Sequence, residues 1–160
     1  MRIVHYVNQF FGGVGGEEAA GSPLEERAGA VGPGLLLEQM MGEGAEIVTT
    51  LICGDNHAVE HQDEVVASVV DKVKKARAEL FVAGPCFEAG RYGMAAGAIC
   101  AAVQSELGIP VVTGMSEENP GTDLYRESLY IIDSAPGREI ACHPSIVGEA
   151  LAGLCLECSV

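Results

Sequence analysis

The sequence has no Trp, and aromatic residues make up only 5% of it, so its core must be built from aliphatic side chains and alanine. Cations are scarce: 9 Lys and Arg stand against 23 Asp and Glu, a formal charge of -14. That argues against nucleic acid, whose phosphates need clustered Lys and Arg. It argues equally against an anionic membrane surface. The basic run from Lys72 to Arg77 reads as the last turns of a helix, where cations complement the dipole. No stretch approaches the ~20 apolar residues of a membrane span. The opening MRIVHYVNQFFGG has neither an apolar h-region nor a small-residue cleavage site. A cytoplasmic protein is expected, with its 6 cysteines reduced. Zinc-like paired CxxC motifs are missing, since only Cys155 and Cys158 have that spacing.

What is present points to a folded α/β domain. The 160 residues fit one domain, and 48% of them are hydrophobic, which excludes intrinsic disorder. Glycine is abundant at 21 residues without a period, so glycine-dependent loops are expected. Five apolar runs read as strands: Ile3 to Val7, Ile47 to Cys53, Leu80 to Ala83, Ile109 to Thr113 and Leu129 to Ile132. Helical patterns cover Gly34 to Met41, Val59 to Ala78, Arg91 to Leu107 and Pro144 to Leu156. This alternation predicts a doubly wound, mostly parallel five-stranded sheet with helices on both faces, a Rossmann/flavodoxin-like three-layer sandwich.

In such sheets ligands bind beyond the carboxyl ends of the strands. Here those ends open into loops rich in Gly and polar side chains. The first carries Asn8, Phe10, Phe11, Gly12, Gly13, Gly15, Gly16, Glu17 and Glu18. Its glycine spacing is not that of a dinucleotide fingerprint, and Glu17 and Glu18 would repel a pyrophosphate. A cationic or zwitterionic ligand suits it better, with Phe10 and Phe11 either facing an ammonium group or simply packing. The loop after the third strand run carries Cys86, Glu88, Arg91 and Tyr92. Arg91 and nearby backbone N–H groups could hold a carboxylate, or Arg91 could pair with Glu88 and only shape the loop. Cys86, close to a helix start, could have a lowered pKa or be a buried inert thiol. Glu117, Glu118 and Asn119 precede Pro120–Gly121, which reads as a turn. His5 reads as a core histidine. Asp55, His57 and His61 have a spacing that could hold a metal, but without supporting context, and no metal is expected. Cys155 and Cys158 sit at the end of a helical pattern, where no helix dipole would activate a dithiol.

The strings HYVNQFFGGVGGEE, AVGPG, ICGDN, AGPCFEAGRYG and VVTGMSEENPG resemble the N-terminal part of the selenoprotein B subunit of glycine, sarcosine and betaine reductases. The resemblance runs from Met1 to about Asp133. It implies a substrate-binding subunit of an anaerobic, cytoplasmic complex that reductively cleaves the C–N bond of a glycine-like amine. It also implies a proprotein-derived partner subunit bearing a carbonyl group of the pyruvoyl type. A second selenoprotein, component A, receives the carboxymethyl group, and a third component releases acetyl phosphate. Family chains are more than twice as long, and their selenocysteine lies in a part without a counterpart here. The chain is therefore expected to hold no cofactor of its own and to be inactive alone. It would be the N-terminal domain of a longer reductase subunit, or a stand-alone relative in which Cys155 and Cys158 serve. Self-association is compatible with either.

Two other classes of function fit the same loops. One is a non-catalytic small-molecule binding or assembly module. The other is a stand-alone flavodoxin-like or nucleotide-processing enzyme, since AGPCF after a strand resembles the deoxyribosyltransferase-like folds over those few residues. Copurification with a carbonyl-bearing partner would favour the reductase subunit, and bound nucleotide or phosphate the last reading.

Overall fold

The computed structural model describes residues 1–134. They form β1 (Arg2–Asn8), β2 (Glu25–Ala28), α1 (Pro33–Met41), β3 (Glu46–Cys53), α2 (Asp55–Glu60), α3 (Gln62–Ala76), β4 (Leu80–Ala83), α4 (Gly90–Leu107), β5 (Val111–Met115), α5 (Pro120–Tyr125) and β6 (Tyr130–Asp133). A short 3-10 turn covers Glu17–Ala19. The strands make a 6-stranded sheet in the order β2-β3-β1-β4-β5-β6. All neighbours from β3 to β6 are parallel, and β2 runs antiparallel to β3.

Strand alternation decides which layer each side chain joins. On one face Val4, Tyr6, Phe81, Ala83, Val111 and Met115 meet the valines of α3 and the small side chains of α4. Val65, Val69, Val70 and Val73 form the buried stripe of α3. Ala95, Ala96, Ile99, Cys100 and Val103 do the same for α4. Each fully buried valine contributes up to ~1.5–3 kcal/mol. On the other face Ile3, Ile47, Leu80 and Val112 meet Leu37 of α1. Among the described residues no helix is long and apolar enough to cross a membrane.

The structure corrects the sequence reading in three places. β2 is a sixth strand, absent from the five expected. Its sequence, EERA, has no apolar run. It exists because β3 has a free edge whose backbone groups it satisfies, and its charges suit an edge position. Lys72 Nζ holds Glu26 at 2.6 Å. The helix expected over Val59 to Ala78 is two helices, starting earlier at Asp55 and broken at His61, whose φ of -119° and ψ of 36° are not helical. The first piece is held elsewhere: the N–H groups of Asn56 and His57 both donate to Ala20 O, at 2.9 and 3.1 Å. Pro120–Gly121 opens α5 instead of forming an isolated turn, with Pro at a position where its missing N–H costs nothing. The helical pattern at Pro144 to Leu156 lies outside the described residues.

Candidate functional site

The strand order places β1 between β3 and β4. The three loops leaving their carboxyl ends therefore meet. Asn8, the last residue of β1, is buried and bridges two of them. Its Nδ2 donates to Asp55 Oδ2 at 3.0 Å, and its Oδ1 accepts from the Phe11 N–H at 3.1 Å. The buried Gln9 accepts from the Asp55 backbone N–H through Oε1 at 2.9 Å. Loop backbone bonds from Gly12 N to Asn8 O and from Val14 N to Gln9 O, both 2.9 Å, curl the glycine segment over this floor. Arg27 Nη1 donates to Gly12 O at 2.7 Å and fixes its outer side.

Asp55 is only 7% exposed. Burial raises its carboxyl pKa, and the hydrogen bond from Asn8 and the charge of Arg91 oppose that rise. Above it, Arg91 from the start of α4 spans the other two loops. Its Nη2 pairs with Glu17 Oε1 at 2.6 Å, and its Nη1 donates to Asn56 Oδ1. The ion pair of Arg91 is thus with Glu17 across 74 residues of sequence, not with Glu88, which is exposed. Glu18 turns back on its own loop, where the Gly16 N–H donates to its carboxylate at 2.8 Å and lowers its pKa.

An aromatic stack leads from the core to this edge. Tyr6 and Tyr92 lie 6.2 Å apart, Tyr92 and Phe11 6.4 Å, Phe11 and Phe87 6.0 Å, and Phe11 and Phe10 5.4 Å with edge-to-face geometry. Tyr92 is fully buried and donates to Tyr6 O at 3.4 Å. Phe10 ends the stack and is 65% exposed beside the glycine loop.

Several sequence candidates fall outside this cluster. Cys86 is buried, and burial raises its thiol well above the ordinary range, so of the two alternatives it is the buried inert thiol and not the helix-start thiol of lowered pKa. Glu117 and Glu118 are exposed, while Asn119 is fully buried. Its Nδ2 donates to Phe87 O at 2.8 Å and Ala89 O at 3.2 Å, and its Oδ1 accepts from Gly121 N at 2.9 Å. It therefore clamps the loop that carries Cys86 and Glu88. Gly93 faces this amide so closely that a Cβ would stand 2.1 Å from Asn119 Oδ1. His5 is buried, with Nε2 2.7 Å from Gly84 O, and burial lowers its pKa to about 4. The His57 and His61 rings lie 4.5 Å apart, yet among the described residues no three His, Cys, Asp or Glu side chains are grouped to hold a metal. Cys155 and Cys158 lie outside the described residues.

Gln9, Asn56 and Phe87 were not singled out from the sequence, and Asp55 only as a metal ligand. Their one local signal is polarity at a strand end, as in Cys53-Gly54-Asp55-Asn56 following an apolar strand. Together the cluster offers carboxylate and guanidinium groups within one ion-pair distance, and the exposed Phe10 belongs to the same glycine-rich loop as Glu17. Such a set can hold a small molecule bearing both charges.

A family model described as glycine/sarcosine/betaine reductase selenoprotein B matches residues 1–141. The chain is 52% identical over 134 residues to the sarcosine reductase complex component B subunit beta of Peptoclostridium acidaminophilum, covering 84% of this chain and 31% of that protein. It is 53% identical over 134 residues to the glycine reductase complex component B subunit gamma of Symbiobacterium thermophilum, with the same shares of 84% and 31%. It is 41% identical over 131 residues to the betaine reductase complex component B subunit beta of Peptoclostridium acidaminophilum, covering 82% of this chain and 30% of that protein. The chain thus spans 31% of the length of the first curated relatives it matches. No solved structure matches it.

Proposed function

Because the chain belongs to the glycine/sarcosine/betaine reductase selenoprotein B family, we propose that it is the substrate-binding domain of a reductase component B subunit. Its ligand is a small zwitterionic amine of the glycine type. Its partners are the carbonyl-bearing, proprotein-derived subunit and the second selenoprotein of the complex. The reaction served is reductive C–N cleavage.

The observation that carries this reading is the Arg91–Glu17 pair above the buried Asp55. The pair is exposed, so solvent screening keeps it weak and it exchanges readily for a ligand. A zwitterion brings both charges needed to replace it. Its carboxylate takes the Arg91 fork, and its ammonium takes the Glu17 carboxylate. Asp55, held by Asn8 and Gln9, keeps the floor of the site polar. Burial raises the thiols of Cys53, Cys86 and Cys100, so none of the three is a ready nucleophile.

The test is calorimetric titration of the 160-residue chain with glycine, sarcosine and betaine. Arg91→Ala should weaken binding of the preferred amine by about 10- to 100-fold, the worth of a charge-assisted hydrogen-bond pair. Arg91→Lys should recover part of it. Unchanged affinity in Arg91→Ala would overturn the assignment.

A further inference from the structure

Two arms of different kinds hold Arg91. Its Nη1 donates to Asn56 Oδ1, a neutral amide on α2. Asn56 is itself anchored, because its backbone N–H donates to Ala20 O at 2.9 Å. The other arm is charged: Nη2 pairs with Glu17 Oε1 at 2.6 Å. Glu17 sits on the 3-10 turn, which has no buried residue and no side-chain cap. Its side chain is 70% exposed, and Gly15 and Gly16 precede it. The amide arm therefore aims the guanidinium, and the carboxylate arm is the one a ligand displaces. The neighbouring carboxylates are engaged elsewhere. Glu18 is folded back onto the Gly16 N–H at 2.8 Å, and Asp55 accepts from Asn8 beneath the pair.

Displacing Glu17 has a cost that depends on the charge of the ligand. A carboxylate that takes the Arg91 fork deprives Glu17 of its cation and brings a second negative charge beside it. A ligand that also carries a cation gives Glu17 a new partner, and that penalty is lifted. We infer that Glu17 is a specificity-determining residue, a charge filter that disfavours monocarboxylates at Arg91 and admits molecules bearing both charges. This rests on the amine reading of the same site and adds the class of molecule that the site refuses. A glycine-type amine that has lost its nitrogen is such a monocarboxylate. The residue that admits the amine thus also favours release of the nitrogen-free acid.

An NMR shift titration of the 160-residue chain with acetate, and with the preferred amine among glycine, sarcosine and betaine, tests this. The variants are Glu17→Gln, Glu17→Gln/Arg91→Ala and the charge-matched control Glu18→Gln. Glu17→Gln should tighten acetate and weaken the amine by about threefold each, the range of an exposed ion pair. The preference for amine over acetate then falls roughly tenfold. Glu18→Gln, which removes the same charge one residue away, should keep the wild-type preference. The acetate gain should vanish in Glu17→Gln/Arg91→Ala. Unchanged acetate affinity in Glu17→Gln would overturn the filter, as would equal weakening of both ligands. A gain that persists without Arg91, or that Glu18→Gln reproduces, would overturn it too. Should wild type bind none of the amines while Glu17→Gln gains acetate through Arg91, the amine reading falls and the filter stands.

Discussion

Replacing Asn119 with Ala removes three side-chain hydrogen bonds from a fully buried amide. The cost can be assembled from the contacts. Loss of the α5 N-cap to Gly121 is worth ~1 kcal/mol. The two carbonyls that lose a donor are not orphaned. Phe87 O still accepts from Ser116 N at 3.1 Å, and Ala89 O from Gly93 N at 2.9 Å. Each lost bond therefore costs ~0.5–1 kcal/mol instead of a full desolvation penalty. The sum is about 2–3 kcal/mol, or a drop of roughly 5–10 °C in Tm for a chain this size. Asn119→Asp separates the roles of the two amide atoms. It keeps the acceptor for Gly121 but points an oxygen at two carbonyls. At neutral pH it should be less stable than the alanine variant. Its carboxyl should be raised in the folded state. The variant is then best stabilised below the unfolded carboxyl pKa and loses stability as pH rises through the folded one. Urea denaturation of both variants at pH 4 and pH 7 reads this directly. An aspartate variant as stable as wild type at pH 7 would refute the clamp. So would an alanine variant that loses ligand affinity while its stability stays intact.

His5 has a folded pKa of about 4 against an ordinary 6.5, set by burial against the opposing bond to Gly84. The unfolded chain then binds the extra proton first, so stability falls as pH drops from 6.5 toward 4. The loss between pH 7 and pH 5 should be about 2 kcal/mol in urea midpoints, and His5→Gln should flatten that slope. An unchanged slope in the variant would assign the effect to other groups. A Cβ at Gly97 would stand 2.2 Å from the Tyr125 ring, where α4 and α5 meet. Gly97→Ala should therefore lower stability by ~1–2 kcal/mol despite alanine's better helix propensity; a gain in Tm would refute that close approach. Cys53, Cys86 and Cys100 should resist iodoacetamide at pH 8 in the native chain and react once it is unfolded, as peptide mapping will show. Native-state labelling at the unfolded rate would mean the thiols are accessible.

The layers were legible from local patterning alone. Apolar runs such as Ile47 to Cys53 and the valine stripe of α3 record which sides are buried, because burial repeats with the local period of each element. The glycine-rich strand ends also marked the loops that the strand order brings together. Partners that lie far apart in sequence left no such trace. EERA became a strand only because β3 offered an unpaired edge. Arg91 met Glu17 and Asn56, and Asp55 met Asn8, because the strand order sets the loops after β3, β1 and β4 side by side. Asn119 likewise turned out to be a clamp on Phe87 and Ala89 across 32 and 30 residues. Periodicity reports whether a side chain is buried. Which groups it meets there depends on how distant strands pair, and that is fixed only when the sheet assembles.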